Sequence, residues 1–364
     1  MPAFDIHVNR KNFHEHKIVE KNTPTTDDLL EGQILMKIDQ FAFTSNNITY
    51  AAVGEVVGYW KFFPVSDEWG IIPMWGFAEV VASKNENVAV GERFYGYYPM
   101  GSHLIMSPVK VKPTNFTDGI AHRQTLPVIY NNYINVKADP SYSKKREAIQ
   151  SLFRPLFTTS FLIDDFMDDN DFFGGEQVML TSASSKTAIG LAFLLAQRKG
   201  MRNLNIIGLT SASNVDFVKS LGYYDTVWSY DQVGQIDNNR KSIIVDFSGN
   251  EQLQANLQSH LGEHLVYNCL VGMVDWTQRG GKGSAAQNGT FFFAPTQAVK
   301  RNKEWGVAGF QQKLGMAWLQ FTNQIGDWMT VKTTEGAQGL ADLYLPMLNG
   351  KIDPKVGHIV TGLD

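Results

Sequence analysis

A single cysteine, Cys269, is all the chain carries, which excludes an intrachain disulfide and any zinc site built from several cysteines. No apolar run approaches the ~20 residues that a membrane span needs. Residues 1–11 lack the apolar core of a signal peptide. Positive charge is also scarce in any organised form: the net charge is −4, and basic residues come in short groups such as Lys144-Lys145-Arg146, with no stripe to meet a nucleic-acid backbone. These absences point to a soluble, cytoplasmic protein with no nucleic acid and no membrane among its partners. A length of 364 residues with 43% apolar content is enough for two cores of ordinary size.

What the chain does have is centred on Val178 to Ala196, VMLTSASSKTAIGLAFLLA. A short apolar run, Val178-Met179-Leu180, reads as a buried parallel strand. A turn of small polar residues follows, and Ala188 opens an apolar helix. Strand, small-residue turn and helix together present helix N-terminal N–H groups to a phosphate. A second strand, Asn205 to Thr210, comes at the spacing of a βαβ unit, so the middle of the chain reads as a dinucleotide-binding domain. Ser182, Ser184, Ser185, Lys186 and Thr187 are the candidate phosphate ligands. Lys186-Thr187 echoes the G-K-S/T of a P-loop, but the glycines of that motif would fall on Leu180 and Ser185. An NAD site places an acid at the end of the second strand to bond the ribose 2′-hydroxyl. This chain has Thr210-Ser211-Ala212-Ser213-Asn214 there and no acid before Asp216. Ser211 and Ser213 can donate to a 2′-phosphate, which favours NADPH.

The first ~110 residues alternate in strand fashion, with glycine-bearing turns, and suggest a compact β-rich barrel. Phe4, Ile6 and Val8 mark one strand, 36–43 a second and 75–83 a third. Residues 42–51, AFTSNNITYA, read as a polar loop, and 58–70 as an aromatic loop bearing Trp60, Phe62 and Phe63. Ser248 and Gly249 follow a strand at 243–247. Gly272 closes the strand at 265–271, and 290–295 reads as a buried edge strand.

Four stretches carry a resemblance: LLEGQILMKIDQFAFTSNNITYAAVG, AVGERFYGYYPMGSHLIMSPVKVKP, the central VMLTSASSKTAIGLAFLLAQRKG with its sequel to Ser229-Tyr230, and the closing GLADLYLPMLNGKIDPKVGHIV. In order and spacing they resemble the medium-chain dehydrogenase/reductase superfamily, in particular its zinc-free quinone oxidoreductase and enoyl reductase branch. The resemblance implies an α/β protein: a GroES-like β-barrel domain (1–148 and 310–364) plus a Rossmann domain (149–309), a doubly wound parallel sheet, with the active site in the cleft between them. It implies a homodimer paired through the last Rossmann strand. It also implies cofactor contacts from Thr159, Tyr230, Ser248, Gly249 and Gly272. The superfamily's loop glycines fall on Ser182, Ser185, Lys186 and Ala188, so that pattern is largely replaced here.

The superfamily's catalytic zinc would need a cysteine near Asn47 and a Gly-His-Glu near Gly76, and neither is present; no metal is expected. His260, Glu263 and His264 satisfy H-x-x-E-H, but Gly262 interrupts the motif and a strand follows, so a helix ending at Gly262 is expected instead. In the superfamily a loop tyrosine often supplies the proton for metal-free hydride transfer. That position falls on Tyr50, with Asn46 and Asn47 as neighbouring donors. The chain 126–142 is longer than the superfamily's connection; it is either a lid, with Tyr130 and Tyr133 as candidate residues over a small-molecule, apolar or aromatic substrate, or a dimer arm. The resulting function is a zinc-independent, NADPH-dependent oxidoreductase of an activated double bond (enone or enoyl) or a quinone. A non-catalytic NADPH-binding protein on the same fold, or a tyrosine-assisted carbonyl reductase, stays open.

Overall fold

The computed structural model describes residues 2–139, 142–271 and 289–363. The chain divides into two units, Met1–Arg154 with Met329–Asp364, and Pro155–Trp328. The return to the first unit thus comes at 329, later than the expected 310. The helix Ala294–Ile325 belongs to the second unit, where its Phe321 stacks on Phe157 at 4.6 Å and meets the tilted ring of Phe193 at 5.3 Å between ring centroids.

In the first unit the alternation around Phe4, Ile6 and Val8 forms strand Ala3–Asn9, antiparallel to His16–Lys21. The main sheet runs, in spatial order, Thr330–Glu335, Val356–Thr361, Ile34–Phe43, Pro73–Ser83, Arg93–Pro99, Asn132–Asn135, Asn115–Asp118 and Pro108–Lys112, with His103–Met106 on Ile34–Phe43. The central pair bends at an irregularity between Ile38 and Gln40. Gly76 is required beside it, because a Cβ there would lie 2.1 Å from the Gln40 carbonyl oxygen.

Two local expectations are corrected here. The polar stretch 42–51 is not a loop: Ser45–Ala52 is a helix, started by the reciprocal cap of Thr44 and Asn47. The insertion 126–142 is not a freestanding lid. Its Asn132–Asn135 is a strand held between Arg93–Pro99 and Asn115–Asp118. The aromatic loop at 58–70 turns inward, with Trp60, Phe62 and Phe63 buried. Arg123 is buried alongside: it donates to Asp118 (2.7 Å) and to the Phe62 carbonyl (3.0 Å), so its charge is paired and hydrogen-bonded.

The second unit is a parallel sheet in the order Thr226–Ser229, Asn205–Thr210, Gln177–Leu180, Ser242–Asp246, Leu265–Leu270, Thr290–Phe291. The order reverses between Gln177–Leu180 and Ser242–Asp246, the place where doubly wound sheets bind ligands. Helix Lys186–Gln197 buries Ala188 through Leu195 and packs on the part of helix Glu147–Asp169 that lies in this unit. Gly190 permits the approach, since a Cβ there would meet the Ser160 hydroxyl at 2.8 Å. The stretch 290–295 is corrected as well. Only Thr290–Phe291 is strand, Phe291 is 56% exposed, and Ala294 begins the next helix with Pro295 in its first turn, where its missing N–H costs nothing. Helix Glu251–Leu261 ends at Gly262 as expected, with φ +50°. Among the described residues no helix is long and apolar enough to cross a membrane.

Candidate functional site

Beyond Leu180 the chain turns through Thr181 to Ser185 into helix Lys186–Gln197, whose cap is Ser185: its hydroxyl accepts from the Ala188 N–H at 3.4 Å. Ser182 stands where the superfamily has glycine and still adopts the left-handed conformation, φ +50°. For a residue with a Cβ this costs ~1–2 kcal/mol. Its neighbours hold it there. Tyr230 is hydrogen-bonded to the Ser182 backbone and hydroxyl, the Ala183 N–H donates to the Leu209 carbonyl, and Tyr224 donates to the Ala183 carbonyl at 3.0 Å. Burial raises the Tyr230 pKa, and the bonds from Ser182 oppose that rise.

The same turn is bolted to its neighbours on both sides. Thr181 accepts from the N–H groups of Phe247 (2.9 Å) and Ser248 (3.2 Å), and donates to buried Asp246. Asp246 also receives the Ser248 hydroxyl (2.8 Å) and the Gly249 N–H (3.2 Å). On the other side, the Ser184 hydroxyl oxygen accepts from Thr210 (3.3 Å) and Asn214 (3.1 Å), and the hydroxyls of Ser211 and Ser213 are 3.2 Å apart. Ser182, Ser184, Ser185, Lys186, Thr187, Ser211, Ser213, Tyr230, Ser248 and Gly249 therefore lie at the carboxyl ends of one set of parallel strands. Thr159 lies on helix Glu147–Asp169 with its hydroxyl turned back to the Pro155 carbonyl, 3.2 Å. Gly272 lies outside the described residues. Sequence reasoning missed Asp246, Thr210 and Asn214; a polar residue ending each of the two strands that flank Gln177–Leu180 was the available signal for the first two.

In the first unit, helix Ser45–Ala52 carries Tyr50 into a cluster of rings. Tyr50 lies 4.6 Å from Tyr59 and 5.6 Å from Tyr97, and Tyr130 lies 5.0 Å from Tyr97 and 6.1 Å from Trp75, centroid to centroid. The Tyr50 oxygen accepts from the Trp75 indole N–H at 3.0 Å, and the Asn46 side chain bonds it as well. Burial and the nearby Tyr130 push the Tyr50 pKa far above its ordinary value, so the phenol stays protonated. The hydroxyls of Tyr59 and Tyr130 bond each other at 2.9 Å. Those of Tyr95 and Tyr97 are buried without a hydrogen-bond partner among the described residues. The cluster is rich in donors and holds no carboxylate.

Two expected members are committed elsewhere. Asn47 accepts from the Thr44 N–H (2.8 Å) and donates to the Pro73 carbonyl (2.9 Å), so both ends of its amide hold the turn. Tyr133 is fully buried in the sheet, where it donates to the Tyr97 carbonyl (2.7 Å) and accepts from Arg123 (3.1 Å); it supports the cluster from behind. Tyr59 and Trp75 were missed as members. The strict alternation Tyr95-Gly96-Tyr97 was the signal that both tyrosines share one face.

Among the described residues no group of three or more His, Cys, Asp or Glu side chains is placed to hold a metal ion. Gly262 puts His260 and His264 on different elements, and His260 Nε2 bonds the Ile236 carbonyl at 2.8 Å.

A family profile described as "Protein of unknown function (DUF2855)" matches residues 41–353. The chain belongs to this family. The DUF2855 chain has no match among curated proteins. Its structure is similar to CurA from Vibrio vulnificus, solved in complex with NADPH: 13% identity, 99% of each chain covered, TM-score 0.62. It is also similar to the mitochondrial 2-enoyl thioester reductase Etr1p/Etr2p heterodimer from Candida tropicalis (14% identity, 99% and 100% covered, TM-score 0.55). A third similar structure is the quinone oxidoreductase from Coxiella burnetii (12% identity, 99% of each chain covered, TM-score 0.51). At these identities the likeness is one of fold. It shows the fold, a GroES-like unit plus a Rossmann unit, for this DUF2855 member.

Proposed function

We propose that this protein is an NADPH-dependent, zinc-independent reductase of an activated double bond or a quinone. The observation that carries the reading is the turn after Leu180. There Ser182, at a position where the superfamily has glycine, adopts φ +50° and leads to the start of a helix of 12 residues, the arrangement that suits a phosphate. The similar fold solved with NADPH, CurA, supports the same cofactor here. Segments 181–185 and 210–214 hold no charged side chain, so nothing repels a 2′-phosphate. Ser185, Lys186 and Thr187 would hold the pyrophosphate, and Tyr230, Ser248 and Gly249 would line the same set of strand ends. Bound there, NADPH would supply hydride to an electrophilic carbon of the substrate.

The first unit supplies the rest. Tyr50 holds its proton on a neutral phenol whose oxygen already accepts from Trp75, so the proton is directed toward a further acceptor. A substrate carbonyl in that position gains a hydrogen bond as negative charge develops on its oxygen. Tyr130 and Tyr59 form a second neutral donor pair, and the ring-lined surroundings favour an apolar or aromatic substrate. The exposed edge strand Thr290–Phe291 is the element through which a homodimer would pair. The commitment of Asn47 to its own turn favours a second reading, an NADPH-binding protein without catalysis. Titration with NADPH and NADH by tryptophan-to-nicotinamide energy transfer, followed by turnover with enones, enoyl thioesters and quinones, decides between them. Tight NADPH binding with turnover supports the reductase, tight binding without turnover supports the second reading, and no binding of either cofactor overturns both.

A further inference from the structure

We infer that this chain distinguishes NADPH from NADH with an uncharged relay, Asn214 to Ser184, in place of a basic side chain. The inference rests on the NADPH-binding reading above. Ser184 accepts from Thr210 and from Asn214 Nδ2, at 3.3 and 3.1 Å. A hydroxyl oxygen has two acceptor sites and one proton. With both acceptor sites filled, the Ser184 hydroxyl acts only as a donor, and no protein acceptor for its proton is found among the described residues. Ser211 and Ser213, which bond each other at 3.2 Å, share one proton between them and leave one to give.

The outward protons of this patch all suit an acceptor. The ionisable groups that follow it, Asp216 and Lys219, lie on the next helix, Val215–Ser220, and are exposed. The patch therefore fits a phosphate oxygen with neutral donors. Asn214 is a positioning residue: it acts on the ligand through the direction it imposes on the Ser184 proton. Two consequences separate this from recognition by a lysine or arginine. The preference for NADPH over NADH survives screening, because a neutral donor forms no ion pair for salt to weaken. Replacing Asn214 by aspartate also reverses the relay, since a carboxylate accepts the Ser184 proton and withdraws it from the ligand.

The test measures dissociation constants of the full chain for NADPH and NADH, by energy transfer and by calorimetry, at low and about 0.5 M salt. Ser184→Ala is expected to weaken NADPH about tenfold and NADH less than about threefold. Asn214→Asp is expected to weaken NADPH more than Ser184→Ala does, and Asn214→Gln less than Asn214→Asp. The NADPH-to-NADH ratio of the unaltered protein is expected to change less than about threefold across the salt range. NADH binding serves as the check that the turn is intact in each variant. Equal losses for both cofactors in Ser184→Ala, or collapse of the ratio in high salt, would overturn the relay while leaving the NADPH reading in place. Failure of the unaltered protein to bind either cofactor removes that reading, and the relay with it.

Discussion

Two strand-to-helix turns in this chain carry runs of small polar residues, one after Phe43 and one after Leu180, and they use them in opposite ways. After Phe43, Thr44 and Asn47 bond each other and the Pro73 carbonyl, so the polar atoms of the turn are consumed in holding it. After Leu180, the binding of the turn to its surroundings is done from outside, by Tyr224, Tyr230, Asp246, Thr210 and Asn214. Of the turn's own hydroxyls, that of Thr181 is spent on Asp246, whereas that of Ser184 only accepts and keeps its proton to give. A polar residue in such a turn is a candidate ligand only when its neighbours supply the structural bonds. Composition alone does not separate the two cases.

The contrast can be broken at four places, from the largest effect to the smallest. Asp246→Ala removes the anchor of the second turn and strands the donors of Thr181, Ser248 and Gly249. We expect a loss of roughly 3 kcal/mol in denaturant unfolding, and loss of cofactor binding with it. Retention of both would show that Asp246 does not hold the turn. Tyr50→Phe should lower kcat on any accepted substrate by about a hundredfold, within the range for a positioned acid, with unfolding little changed. An unchanged kcat would move the proton source to Tyr59 or Tyr130. Asn47→Ala should cost about 1–2 kcal/mol through the lost cap and the unpaired Pro73 carbonyl. Its affinity for NADPH should not move; a weakened affinity would mean that the first turn is more than scaffolding. Finally, Ser182→Gly should be more stable than Ser182→Ala by about 1 kcal/mol, because both lose the hydroxyl but only glycine relieves the left-handed strain. The opposite order in thermal unfolding would show that Ser182 is not strained.

Much of this architecture was legible in the sequence, for a definite reason. Period-two alternation at Phe4, Ile6 and Val8, and the short apolar runs at 178–180 and 243–247, follow directly from strand geometry. The helix end at Gly262 was legible because a left-handed residue is a local requirement. What escaped depends on partners distant in the chain. Ser45–Ala52 looks like a loop until Asn47 is seen to cap it, and Tyr133 resembles a lid residue until Tyr97 and Arg123 claim its hydroxyl. The run Phe291-Phe292-Phe293 reads as a buried strand by its hydrophobicity. It is instead a sheet edge with Phe291 and Phe293 exposed, which no single-sequence pattern distinguishes. Asp246 was read merely as part of the strand and turn at 243–249, because its role lies in its bonds to Thr181 of one loop and to Ser248 and Gly249 of another.

The left-handed Ser182 carries a consequence for how relatives of this protein are recognised. Dinucleotide loops are usually sought by counting glycine letters, and by that count this chain has lost its fingerprint. Ser182 nevertheless keeps the left-handed φ that glycine would take there, held by Tyr224, Tyr230 and Leu209. A search keyed to torsion angles and to an aromatic pair bracketing the turn would gather chains that a search keyed to glycine passes over.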